Sequence, residues 1–79
     1  MDWKEETKQK FGMHLMALLK AYGDKQGDKK PSLRGLSGRA GLEYSHVQRI
    51  SKGQVDLALT TIIALAHGLE IPAKDLLEF

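Results

Sequence analysis

Apolar side chains recur at Phe11, Leu15, Leu18, Leu19 and Tyr22 within residues 3 to 22. Offsets of four, seven, eight and eleven from the first of them trace one face of a helix. Asp2 followed by Glu5 has the spacing of a capping box, so a first helix is expected from about Trp3 to Tyr22. The next stretch, 23–31, holds two glycines, a proline and no apolar side chain. It has nothing to bury and reads as a loop, expected to be mobile. Ser32 after Pro31 is a good helix N-cap. A second helix then spans Leu33 to Ala40, with Leu33, Leu36 and Ala40 inward and Gly41 as its stop. Gly35 and Gly38 inside it each cost about 1 kcal/mol relative to alanine, so this should be the weakest helix. A third runs from Tyr44 to Lys52 and ends at Gly53. A fourth covers Leu59 to Gly68, with Leu59, Ile62, Ile63, Ala66 and Leu69 as the expected buried stripe. Pro72 opens a last short helix through Leu76 and Leu77. No segment alternates as a strand does. The chain therefore reads as one all-α domain over residues 1–79.

The third helix divides sharply. On a wheel of about 100° per residue, Val47 and Ile50 fall on one side. Tyr44, Ser45, Gln48, Arg49 and Lys52 fall on the other, within about 140°. The first side anchors the helix. The second offers an aromatic ring, a hydroxyl, an amide, a guanidinium and an ammonium, with no acid and no aliphatic group. Arginine can donate two hydrogen bonds to guanine, an amide can pair with adenine, and lysine neutralises phosphate. The inventory suits a helix lying in a DNA major groove; an ordinary solvated face would also fit it. What precedes this helix favours the groove. Gly41 supplies a tight bend, small Ser37 stands one turn before it, and Leu36, Leu42, Val47 and Ile50 can converge on one core. This is the spacing of a helix-turn-helix.

Charge points to the same segment. The net charge of +2 says little. Between Lys25 and Gln54, however, seven basic residues (Lys25, Lys29, Lys30, Arg34, Arg39, Arg49 and Lys52) stand against Asp28 and Glu43, a net +5, while the rest of the chain carries −3. A polyanion met in the middle of the chain would produce this asymmetry; for Lys25, Lys29 and Lys30 a solvated loop explains it equally well. At 79 residues the domain is too small to hold a catalytic cleft beside its core, which argues against an enzyme. There is no cysteine, hence no disulfide and no thiolate metal site. The charged N-terminus does not read as a signal peptide, and no apolar run approaches the roughly 20 residues of a membrane span. A cytoplasmic, membrane-free protein is expected.

From Ser32 to Gly53 the sequence SLRGLSGRAGLEYSHVQRISKG resembles the Cro/phage-repressor family, also called the xenobiotic-response-element family. Phe11-Gly12 with Leu15 is similar to its first helix, Leu59 to Leu69 to its fourth, and Ile71 to Phe79 to its fifth. The resemblance implies a compact five-helix lambda-repressor-like domain with its helix-turn-helix core at 32–53. It further implies no cofactor, double-stranded DNA as partner, and a homodimer on a near-palindromic operator. The family's base-contacting positions fall on Tyr44, Ser45, Gln48 and Arg49; Ser32, His46 and Lys52 stand where it touches phosphate. There are three departures. The glutamine common at the start of the second helix is Leu33, the loop before that helix is long, and a frequent arginine–glutamate pair is replaced by Leu19 and Ser51. Losing both partners leaves no buried unpaired charge.

Other signals are weaker. His14, His46 and His67 are far apart and lack acidic or thiol partners at ligand spacing, so no metal site is expected. Trp3, in line with Thr7 and Phe11, reads as packing, and Met13 and Met16 as core or surface filler. No small-molecule pocket is evident. At the C-terminus, Leu76, Leu77 and Phe79 cannot all face the core from so short a helix, because adjacent residues point about 100° apart. Leu76 is expected inside, and Leu77 with Phe79 at a dimer interface; the alternative folds Phe79 back on the first helix. Besides a sequence-specific transcriptional regulator, two readings stay open. One is an antitoxin-type autorepressor, and the other a protein-interaction adaptor without DNA affinity.

Overall fold

A computed structural model describes residues 2–28 and 30–79; Met1 and Lys29, the latter counted above in the basic segment, lie outside the described residues. Among the described residues the chain forms α1 (Trp3–Gln26), α2 (Leu33–Ala40), α3 (Tyr44–Ser51), α4 (Leu59–Leu69) and α5 (Ala73–Leu76), with no strand. The all-α, five-helix expectation holds. The molecule measures 39 × 21 × 21 Å, and α1 alone, at 1.5 Å per residue, accounts for nearly all of the long axis. The core gathers Phe11, Leu15 and Leu19 from α1, Leu36 from α2, Val47 and Ile50 from α3, Leu65, Ala66 and Leu69 from α4, and Leu76 from α5. Leu18, Tyr22, Leu33 and Leu42 pack around it, half-buried.

Three local expectations are corrected. First, α1 runs four residues beyond Tyr22, to Gln26. Gly23 looked like a stop but is buried inside the helix, where a β-carbon would stand 2.5 Å from Pro31 Cγ. The true stop is Gly27, at φ 72°, with the Asp28 amide donating to the Gly23 carbonyl at 2.8 Å. The loop expected to be long is correspondingly shorter. Second, the capping box is only half made. Asp2 accepts from the Lys4 amide at 2.9 Å, while Glu5 turns to Lys8 at 2.8 Å.

Third, the buried face of α4 is rotated from the expected stripe. Leu59 and Ile63 are 73% and 39% exposed, and the inward set is Leu65, Ala66 and Leu69 with Ile62 half-buried. Helix α4 is apolar nearly all round, so its periodicity fits two faces. Gly68 selects between them: a β-carbon there would lie 2.8 Å from Leu36 Cδ1 and 3.2 Å from Ala40 Cβ, so α4 lies close against α2 on that side.

The contact that seats α3 is also a close one. A β-carbon at Gly12 would stand 2.5 Å from the Ser51 carbonyl oxygen and 3.0 Å from that of Ile50, so α1 meets the backbone at the C-terminal end of α3 directly. Gly53 lies just beyond, at φ 71°; a β-carbon there would stand 2.8 Å from Gln9 Cα. No side chain fits between the two segments at either point. By contrast, a β-carbon at Gly38 in α2 would meet nothing within 4 Å. Gly38→Ala should therefore raise unfolding stability by up to about 1 kcal/mol. Gly12→Ala should lower it by about 1–3 kcal/mol, because backbone must move to admit the methyl group. Denaturant melts of the two variants check the signs; equal shifts would refute the close seam between α1 and α3.

Candidate nucleic-acid interface

The turn between α2 and α3 is set by backbone hydrogen bonds. Gly41 takes φ 71°, its amide reaches the Gly38 carbonyl at 3.3 Å, and the Leu42 amide reaches that of Ser37 at 2.9 Å. This closes α2 with the left-handed residue that glycine adopts at least cost. Ser37 is buried, and its hydroxyl donates to the Arg34 carbonyl at 2.7 Å, so no polar atom is stranded under the turn. At the other end of α2, Ser32 caps the helix by accepting from the Gly35 amide at 3.0 Å. The Ser32 residue remains exposed.

Helix α3 presents the division its sequence implied. Val47 and Ile50 are 0% and 1% exposed and hold it to the core. Ser45, Arg49 and Lys52 are exposed; Tyr44, His46 and Gln48 are half-buried. Ser45, Gln48, Arg49 and Lys52 thus stand opposite the anchoring pair, with half-buried Tyr44 and His46 on the two flanks. A shallow depression beside them is lined by Gly41, Leu42, Glu43, His46 and Arg49. Glu43, the N-terminal flank of α3, makes no side-chain cap. Ser51 is tied back by donating to the Gln48 carbonyl at 2.7 Å.

The arginines of α2 differ. The Arg39 Nε donates to the Gly68 carbonyl at 2.8 Å, and its guanidinium carbon lies 4.1 Å from the Tyr22 ring centroid, which joins α2 to α4 and α1. Arg34 turns the other way, its guanidinium carbon 4.1 Å from the centroid of Tyr44 at the head of α3. In the sequence Arg34 counted only as charge; a cation in the first turn of α2, paired across the turn with an aromatic at the head of α3, was the signal available. Leu33 beside it is half-buried against the core.

The remaining candidates are elsewhere. Leu76 is fully buried, as expected, while Leu77 and Phe79 are 57% and 46% exposed. Phe79 also meets its own Phe11 edge-on, with ring centroids 5.8 Å apart, which is the folded-back position on the first helix given above as the alternative. Both border a groove with Phe11, Leu57 and Ile62, away from the outer side of α3. His14 bonds through Nε2 to the Asp75 carbonyl at 2.6 Å and ties α1 to α5. Among the described residues no group of three His, Cys, Asp or Glu could hold a metal ion, and no helix is long and apolar enough to cross a membrane.

No protein-family model matches the sequence, and no curated protein does. Among solved structures, the restriction-modification controller protein C.AhdI from Aeromonas hydrophila aligns with a TM-score of 0.74 at 30% sequence identity. The alignment covers 90% of this chain and 97% of that one.

Proposed function

This chain belongs to the Cro/phage-repressor-like helix-turn-helix family, and from that premise we propose that it is a DNA-binding transcriptional regulator that reads a near-palindromic operator as a homodimer. The observation that carries the reading is the outer face of α3. It holds a hydroxyl, an amide, a guanidinium and an ammonium with no acid among them, and Val47 and Ile50 hold it outward. Its likeness to a controller protein supports the same role. In this reading Ser45, Gln48 and Arg49, with Tyr44, meet base edges; Ser32, His46 and Lys52 meet phosphates and fix the register.

The dimer places Leu77 and Phe79 near a two-fold axis, where one patch meets its own copy. Two α3 helices would then stand about 34 Å apart, one turn of DNA. The exposure of Leu77, and of Phe79 beyond its contact with Phe11, supports this placement. Leu33, which replaces the glutamine common in the family, packs half-buried on the core, and exposed Arg34 stands next to it.

Three measurements test the proposal. Arg49→Ala should weaken binding to a duplex enriched from a random pool by about 1–3 kcal/mol and relax preference at one base pair. Equal losses on enriched and scrambled DNA would confine Arg49 to phosphate. Wild-type affinity should also fall with salt, each neutralised phosphate adding about −0.9 to the log–log slope; a flat response would favour the adaptor. For assembly, sedimentation at tens of micromolar should show a lower mass for Leu77→Asp combined with Phe79→Ser than for wild type. An unchanged mass would move the interface elsewhere.

A further inference from the structure

Resting on the DNA-binding reading, we propose that Arg34, stacked on Tyr44, is a base-reading residue that takes a guanine edge in the major groove. Arg34 belongs to α2 and Tyr44 to α3, so the stack bridges the two helices of the motif at their N-terminal ends. The guanidinium carbon lies 4.1 Å from the ring centroid, close enough for face-on contact. Among the described residues, the ion pairs are Lys8 with Glu5 and Lys10 with Glu6, and no carboxylate neutralises Arg34. Nor does its side chain donate any of the side-chain hydrogen bonds among them. Arg39 has the same stacking distance, to Tyr22, but spends its Nε donor on the Gly68 carbonyl. One arginine of α2 is thus consumed by the fold, and the other is oriented by it with its donors free.

Orientation favours a base over a phosphate. A guanidinium is planar, and all its N–H donors lie in that plane. Held over a ring, it loses little further freedom when it binds. Bidentate donation to guanine O6 and N7 requires such a fixed plane. A phosphate oxygen accepts from many directions and requires none. The head of a recognition helix is also the part that meets base edges, and Tyr44 is the first residue of α3. Helix α2 in this way contributes a base contact that the α3 sequence alone does not contain.

The test uses the full chain and a duplex that the wild-type protein enriches from a random pool, with a scrambled duplex as control. Arg34→Ala and Arg34→Lys should each lose roughly tenfold on the enriched duplex, lose little on the scrambled one, and abolish preference at a single G·C pair. Tyr44→Phe keeps the ring face, so preference at that G·C pair should persist even where loss of the Tyr44 hydroxyl lowers overall affinity. Equal losses on both duplexes, or wild-type preference in Arg34→Lys, would overturn base reading. A melting temperature for Arg34→Ala well below that of wild type would make the stack a clamp between helices and overturn it as well. Failure of the wild-type chain to enrich any duplex would instead remove the DNA-binding reading beneath it.

Discussion

The close backbone approach of α1 to the C-terminal end of α3 is the constraint on which the rest depends. Gly12 lets the Ser51 carbonyl reach the surface of α1, and Gly53 lies against the backbone at Gln9. A helix held so near its neighbour has little freedom to roll. Val47 and Ile50 then fill the core beneath it, and the polar residues have no direction left but outward. A small domain has few residues with which to fix a helix. Here backbone contact does part of what a buried ion pair could do, and Leu19, at a position where the resemblance suggested a charge, is simply buried.

The second helix is seated from the opposite side. Gly68 brings α4 against Leu36 and Ala40, and Arg39 adds a hydrogen bond to the Gly68 carbonyl. The two halves of the motif are therefore fixed to different helices, α3 to α1 and α2 to α4, and meet at Gly41. The stack of Arg34 on Tyr44 is a contact between these halves on the outer side. Cations and donors consequently stand on a preformed surface, which lowers the ordering needed on binding. The ion pairs of α1, half-buried Lys8 with exposed Glu5 and exposed Lys10 with exposed Glu6, join neighbours on one helix and contribute little to stability.

Much of this was legible in the sequence, for identifiable reasons. Helix α3 has two large apolar residues three positions apart, so only one roll angle buries both. Gly41 and Ser32 sit where a stop and a cap are needed, and both perform those roles. Leu76 was separable from Leu77 because a short helix buries only one of them. What failed were positions where local signals were ambiguous. Gly23 and Gly27 are both plausible helix stops, and only the return of Pro31 across the helix shows that Gly23 makes room. Helix α4 is apolar on most sides, so its inward face was decided by its partner, not by its period. The stack between Arg34 and Tyr44 spans a turn and leaves no periodic trace.

In the proposed function, DNA is met by the outer face of α3 together with the head of α2. Backbone amide shifts recorded by NMR as an enriched duplex is added test it most directly. The largest changes should map to Ser32, Arg34, Tyr44, Ser45, Gln48, Arg49 and Lys52, while the first turns of α1 stay still. Changes concentrated in the groove of Leu57, Ile62 and Leu77, with α3 silent, would contradict it.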